Sequence, residues 1–164
     1  MNIKKLVPVA LVAMALIVVG IRYWPSDERA IRKQIAQIET LGSKAADEKP
    51  IESLLRAKRL AALFNDPCIL QVEAADFTGE YPRKQIQDRI AMARAFYTNA
   101  TVSVHDLSIN ILDKERTKIL CTLRVKGSGK NRPVADVQEL EADLRKVEGD
   151  WLFTQLTLVE VLER

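Results

Sequence analysis

The sequence predicts an α+β protein: an apolar N-terminal transmembrane helix, then one domain of three helices packed on a curved, mainly antiparallel six-stranded sheet. Three observations predict it. A run of sixteen uncharged, almost wholly apolar residues opens at Leu6 and closes at Ile21. Three later segments carry apolar residues three and four apart, the spacing of a helix face. Beyond Thr101 the apolar residues recur every second position, as in half-buried strands. Helices gathered ahead of a strand meander argue for α+β, with one sheet face covered by helices.

The apolar run comes first. Sixteen helical residues reach about 24 Å, a little short of a bilayer core of about 30 Å. Snorkelling of Lys5 and Arg22 and local thinning close the gap, and Tyr23 and Trp24 suit the headgroup level. Lys4 and Lys5 precede the run and Arg22 alone follows it, which places the N-terminus in the cytoplasm. The expected localisation is therefore the cytoplasmic membrane, single-pass, with residues 26–164 as a periplasmic domain behind a signal anchor over residues 1–25. A cleaved secretory signal is the rival, with an A-x-A pattern at Ala13 and Ala15. Cleavage there would leave a short apolar core and a greasy new N-terminus. No cysteine stands directly after the run to carry a lipid.

Pro25 ends the anchor and Ser26 is a suitable N-cap. Ile31, Ile35, Ile38 and Leu41 then form the stripe of a helix over residues 27–41. Residues 42–49 read as a polar linker. Pro50 opens a second helix running to Phe64, with Leu54, Leu55, Ala61 and Leu63 apolar, stopped by Asn65-Asp66-Pro67. A short strand follows from Cys68 to Glu73, and another near Phe77 and Thr78. Pro82 opens a third helix, ending at Asn99, with Ile86, Ile90, Ala93 and Tyr97 on one face.

Four long strands complete the chain. In residues 101–112, Val102 and Val104 hold one parity while Leu107, Ile109 and Ile111 hold the other. A phase switch within one strand is the mark of a β-bulge, here at His105-Asp106. Ile119, Cys121, Leu123 and Val125 alternate in the next strand, and residues 127–131 read as a flexible tip. In residues 133–147 Val134, Leu140, Ala142 and Leu144 share one parity; Glu139, Glu141, Asp143 and Arg145 share the other. A turn at Glu148-Gly149-Asp150 leads to the last strand from Trp151.

Composition excludes several classes. The chain has 25 basic and 22 acidic residues. Lys4, Lys5 and Arg22 precede position 25, so the body holds 22 of each sign and is neutral. No basic excess remains for a nucleic-acid surface. Cys68 and Cys121 are too few for a disulfide framework or structural zinc site, and both sit in apolar runs that favour buried free thiols. No phosphate loop, Ser-His-Asp order, paired histidine ligands or CxxC is present, so neither metal nor cofactor is implied.

The order of elements, with the runs Ala61-Ala62-Leu63-Phe64-Asn65-Asp66, Phe77-Thr78-Gly79 and Leu144-Arg145-Lys146-Val147-Glu148-Gly149-Asp150-Trp151, resembles the nuclear transport factor 2-like superfamily. That superfamily also holds ketosteroid isomerases, scytalone dehydratase and polyketide-cyclase-like proteins. The resemblance spans residues 27–164. It implies a cone in which a bent sheet wraps the helices and leaves a pocket at the open end, and it implies a homodimer. The isomerases carry a general-base carboxylate at the end of their first strand. Here that position falls at or near Val72, and neighbouring Glu73 would serve only after a one-residue shift in register. The fold alone licenses no activity.

Four residues are candidates for a pocket. His105 is the only histidine, at the proposed bulge. Asp136 and Gln138 share the parity of Leu140, Ala142 and Leu144, and would point a carboxylate and an amide into the cone near its mouth. Tyr97 could bring a phenol to the pocket rim. The sequence therefore leads us to expect a tethered, non-enzymatic domain that binds an apolar small molecule or a membrane or periplasmic protein. The alternative is a small cofactor-free isomerase, dehydratase or hydrolase using a pocket carboxylate.

Overall fold

The computed structural model describes residues 27–129 and 132–159. The expected transmembrane segment and its interface residues Lys4, Lys5, Arg22, Tyr23 and Trp24 lie outside these residues. No described helix is long and apolar enough to cross a membrane.

The order is α1 (Asp27–Gly42), α2 (Pro50–Ala61), β1 (Phe64–Val72), a one-turn 3-10 helix (Glu73–Ala75), β2 (Phe77–Tyr81), α3 (Arg83–Phe96), β3 (Tyr97–Ile111), β4 (Arg116–Gly129), β5 (Arg132–Val147) and β6 (Asp150–Val159). The strands form one sheet in the order β2-β1-β6-β5-β4-β3. Every pairing is antiparallel except that of β1 with β6. Closing the meander against β1 is what makes the sheet mixed.

Burial follows the period-two pattern. Ile119, Ala142, Leu144, Trp151 and Phe153 pack with Ile31 and Ile35 of α1 as the core, joined by partly buried Ile38, Val104, Leu107, Ile109 and Cys121. The expected phase switch in β3 is present: its register against β4 slips between His105 and Ser108, and Asp106 adopts a φ of 52°. Residues on both sides of the slip therefore reach the same core. The β5–β6 turn holds Glu148 at φ 52° and Gly149 at φ 95°, the paired positive φ values that match strand twist in a two-residue hairpin.

Several elements differ from expectation. The chain enters β1 at Phe64, not at Cys68, and Pro67 lies inside the strand. Its missing N–H falls where the β1–β6 register slips between Phe64 and Ile69, so no ladder bond is lost. The second helix stops at Ala61 and buries Ala57, Leu60 and Ala61, while Leu54 and Leu55 are each 52% exposed. On α3, which ends at Phe96, Ala93 is exposed and the buried residue is Arg94. The tip expected to be flexible at Gly127 and Gly129 is ladder. A Cβ at Gly127 would lie 2.2 Å from the Asn99 carbonyl oxygen, so glycine is what lets β3 and β4 pair this closely.

Candidate functional site

The inward face of the sheet beyond the core is where the sequence candidates on β5 fall. Ala142 pairs with Ile119 in the core, and steps of two along β5 bring Leu140, Gln138 and Asp136 to the same face. Gln138 pairs with Leu123, which pairs with Val104; Asp136 pairs with Val125, which pairs with Val102. The Asp136 carboxylate is exposed and accepts a hydrogen bond from Gln138 Nε2 at 3.0 Å. The two make an acid–amide pair on an apolar wall, open to water.

His105 lies on the other face. Val104 packs inward, so its neighbour His105 points outward, pairing with Thr122. Its Nε2 lies 3.0 Å from Ser103 Oγ, and Asp106 Oδ2 accepts from Thr122 Oγ1 at 3.2 Å. Tyr97 starts β3 opposite Gly129, half-buried, edge-on to the Phe96 ring at 5.2 Å. His105 and Asp136 therefore lie on opposite sides of the sheet. Glu73 sits exposed in the 3-10 turn after β1.

A denser polar cluster lies at the same end, on residues that sequence reasoning passed over. Glu48 in the α1–α2 linker and Arg94 on α3 have side chains only 2% and 4% exposed and form a two-pronged ion pair at 2.6 and 2.7 Å. Arg94 also donates to the carbonyls of Leu41, Gly42 and Ser43 and to Ser53 Oγ, within 2.5–3.2 Å. Lys44 Nζ donates to the carbonyls of Arg94 and Tyr97 at 2.8 and 2.7 Å, while its backbone bridges Ala100. Burial pushes the Glu48 carboxyl up. Hydrogen bonds from Arg94 and Ser53, with the charges of Arg94 and Arg56, outweigh that and hold it below its ordinary range. Each polar atom is engaged, so the cluster works as a clasp fixing the linker to α3 and β3. One signal marks it in the sequence: Arg94 continues the four-residue spacing of Ile86 and Ile90, a charge set on an apolar face.

Among the grooves on the outside of the described residues, two lie against the sheet. One, of about 540 Å³, runs between α1 and the β5–β6 hairpin past Lys33, Gln37, Leu63 and Trp151. The other, of about 660 Å³, crosses the outward sheet face past Asn65, Glu80, Asp143 and Gln155. Neither is lined by Tyr97, His105, Asp136 or Gln138. Among the described residues no group of three or more His, Cys, Asp or Glu is placed to hold a metal. Cys68 and Cys121 are free thiols, and burial pushes both up, Cys68 to about 11.

No protein-family profile matches the chain, and no curated protein does. Solved structures do. A nuclear transport factor 2-like protein with a cystatin-like fold from Novosphingobium aromaticivorans matches at a TM-score of 0.63 and 15% identity, covering 93% of this chain and 90% of that one. The fold is nuclear transport factor 2-like. A hexachlorocyclohexane dehydrochlorinase matches at TM-score 0.63 and 13% identity, over 80% of this chain and 83% of its own. The Kfla4162 protein of Kribbella flavida matches at 0.64 and 11%, over 81% and 89%. Identities this low carry the nuclear transport factor 2-like architecture and leave chemistry to the residues described above.

Proposed function

We propose that this chain is a membrane-tethered nuclear transport factor 2-like domain on the outer face of the cytoplasmic membrane, and that it binds rather than catalyses. A partner protein is the favoured ligand, an apolar small molecule the next. The observation that carries the reading is the start of α2. Ile51, Leu54 and Leu55 stand 64%, 52% and 52% exposed at positions i, i+3 and i+4, one continuous helix face with no described cover. Apolar side chains grouped on one exposed helix face are a usual mark of a docking surface. The tether adds to this, since confinement to a surface raises the effective concentration toward membrane-bound partners.

Leu54→Glu with Leu55→Glu tests it. Full-length protein solubilised from membranes in detergent should co-purify with a partner that the double variant loses. Equal recovery with both proteins would refute the docking role of α2.

The dehydrochlorinase among the similar folds keeps a second reading in view, a cofactor-free eliminating or isomerising enzyme. The inward Asp136–Gln138 pair is the residue set that favours it. The opposite placement of His105 weighs against it, because general acid–base chemistry needs its groups to converge on one substrate. If Asp136→Asn leaves ligand binding and turnover of candidate substrates unchanged, that pair has no pocket role.

A further inference from the structure

Helix α1 fixes which end of the body meets the tether. At its start, Asp27 Oδ1 accepts from Lys146 Nζ at 2.6 Å and from Trp151 Nε1 at 3.2 Å, beside the β5–β6 turn. At its far end, Gly42 packs on Val102 and Lys44 bridges Ala100. Sixteen helical residues separate these ends by about 24 Å. Helix α2 runs back the other way. Leu63, just after it, meets Phe153 N–H near the core, so Ile51, Leu54 and Leu55 lie at the far end.

Five residues, 22–26, separate Ile21, the last of the apolar run, from Asp27. Fully extended they reach about 18 Å. An anchored chain therefore holds the start of α1, and with it the β3–β4 and β5–β6 turns, close to the membrane surface.

The first two turns of α1 (residues 27–33) and the two hairpin turns (residues 113–116 and 145–150) carry seven basic and six acidic residues, so neither sign prevails and this end does not repel a lipid surface. Arg116 and Arg145 lie directly opposite one another across β4 and β5. Asp113 holds Arg116 at 2.8 Å, while no described residue pairs with Arg145. Like charges opposed in this way are destabilising; Asp113 offsets Arg116, and a lipid phosphate would do the same for Arg145.

We propose that this turn end is a docking surface for the bilayer headgroups, with Arg145 on lipid phosphate and the apolar start of α2 directed away into the aqueous compartment. The proposal rests on the tether reading and deepens it: the partner arrives from the water, not laterally from the membrane.

The full-length chain, carrying one introduced cysteine at a time, is reconstituted into phosphatidylethanolamine–phosphatidylglycerol vesicles with a headgroup-linked quencher and labelled with a fluorophore. Lys114→Cys reports the turn end; Leu54→Cys and Thr98→Cys report the far end. Cys68 is buried and Cys121 half-buried, so the unsubstituted chain is the labelling control. Most of the emission should be lost at position 114 and retained at 54 and 98. Equal loss at all three, or loss at 54 with retention at 114, overturns the orientation while leaving the tether standing. Release of the chain from vesicles by alkaline washing overturns the tether, and the orientation with it.

Discussion

Removing the charge of Glu48 perturbs the clasp between the α1–α2 linker and α3 most cleanly. Breaking a buried ion pair by neutralising one partner costs about 3–5 kcal/mol, because the other charge is left buried without compensation. Glu48→Gln retains one oxygen facing Arg94, and Arg94 keeps three backbone carbonyls and Ser53 Oγ. The loss should therefore fall near the lower limit, about 3 kcal/mol. For a domain of this size each kcal/mol lowers Tm by about 3 °C, so residues 26–164 should melt roughly 10 °C lower. Arg94→Met should cost more, about 4 kcal/mol, since it orphans the carbonyls of Leu41, Gly42 and Ser43 and leaves Glu48 with Arg56 at 3.4 Å. The double variant should lose less than the sum of the two by about 2 kcal/mol. Thermal melts followed by far-UV circular dichroism, with a urea series, measure all three. Single losses below about 0.5 kcal/mol, the size of ordinary surface changes, would refute the claim that this pair is a buried clasp.

Acid should weaken the same contacts. Asp27, through its hydrogen bond with Lys146, and Glu48 both titrate below their ordinary values when folded. The unfolded chain then takes up protons first as pH falls, so stability is full above about pH 5 and declines below about pH 4.5. The urea midpoint measured against pH should show that decline, and Glu48→Gln should make it shallower. Native protein should react with a thiol reagent at pH 8 roughly a hundredfold more slowly at Cys68 than a free cysteine does, with both cysteines reacting promptly in denaturant. Gly127→Ala, whose new methyl would meet backbone at Asn99, should cost about 1–3 kcal/mol in the same melts.

The sheet was legible because strands state their buried face directly. Ala142 and Leu144 alternate with Asp143 and Arg145, and the change of phase between Val104 and Leu107 marks the bulge. Helices were less open to reading. Leu54 and Leu55 look like core, yet α2 turns Ala57, Leu60 and Ala61 inward, since small residues let it sit close to its neighbours. Arg94 looks like a solvent residue on composition alone, and only its tertiary partners at Glu48 and the linker carbonyls explain its burial. Its place in the spacing of Ile86 and Ile90 was the available hint. Pro67 hid the first half of β1, because a proline reads as a strand breaker unless the register slip that accommodates it is known. For the pocket candidates, parity placed Asp136 and Gln138 on one face. The bulge that sequence could detect did not reveal that His105 would face the other way, which needed the core packing of Val104.

Cell fractionation tests the central claim most directly. Washed at alkaline pH, the membrane fraction should keep the whole chain, with residues 6–21 present by intact mass. Protease added outside spheroplasts should digest the body. Recovery of the full-length chain, protected from that protease, in the soluble cytosol would contradict the account.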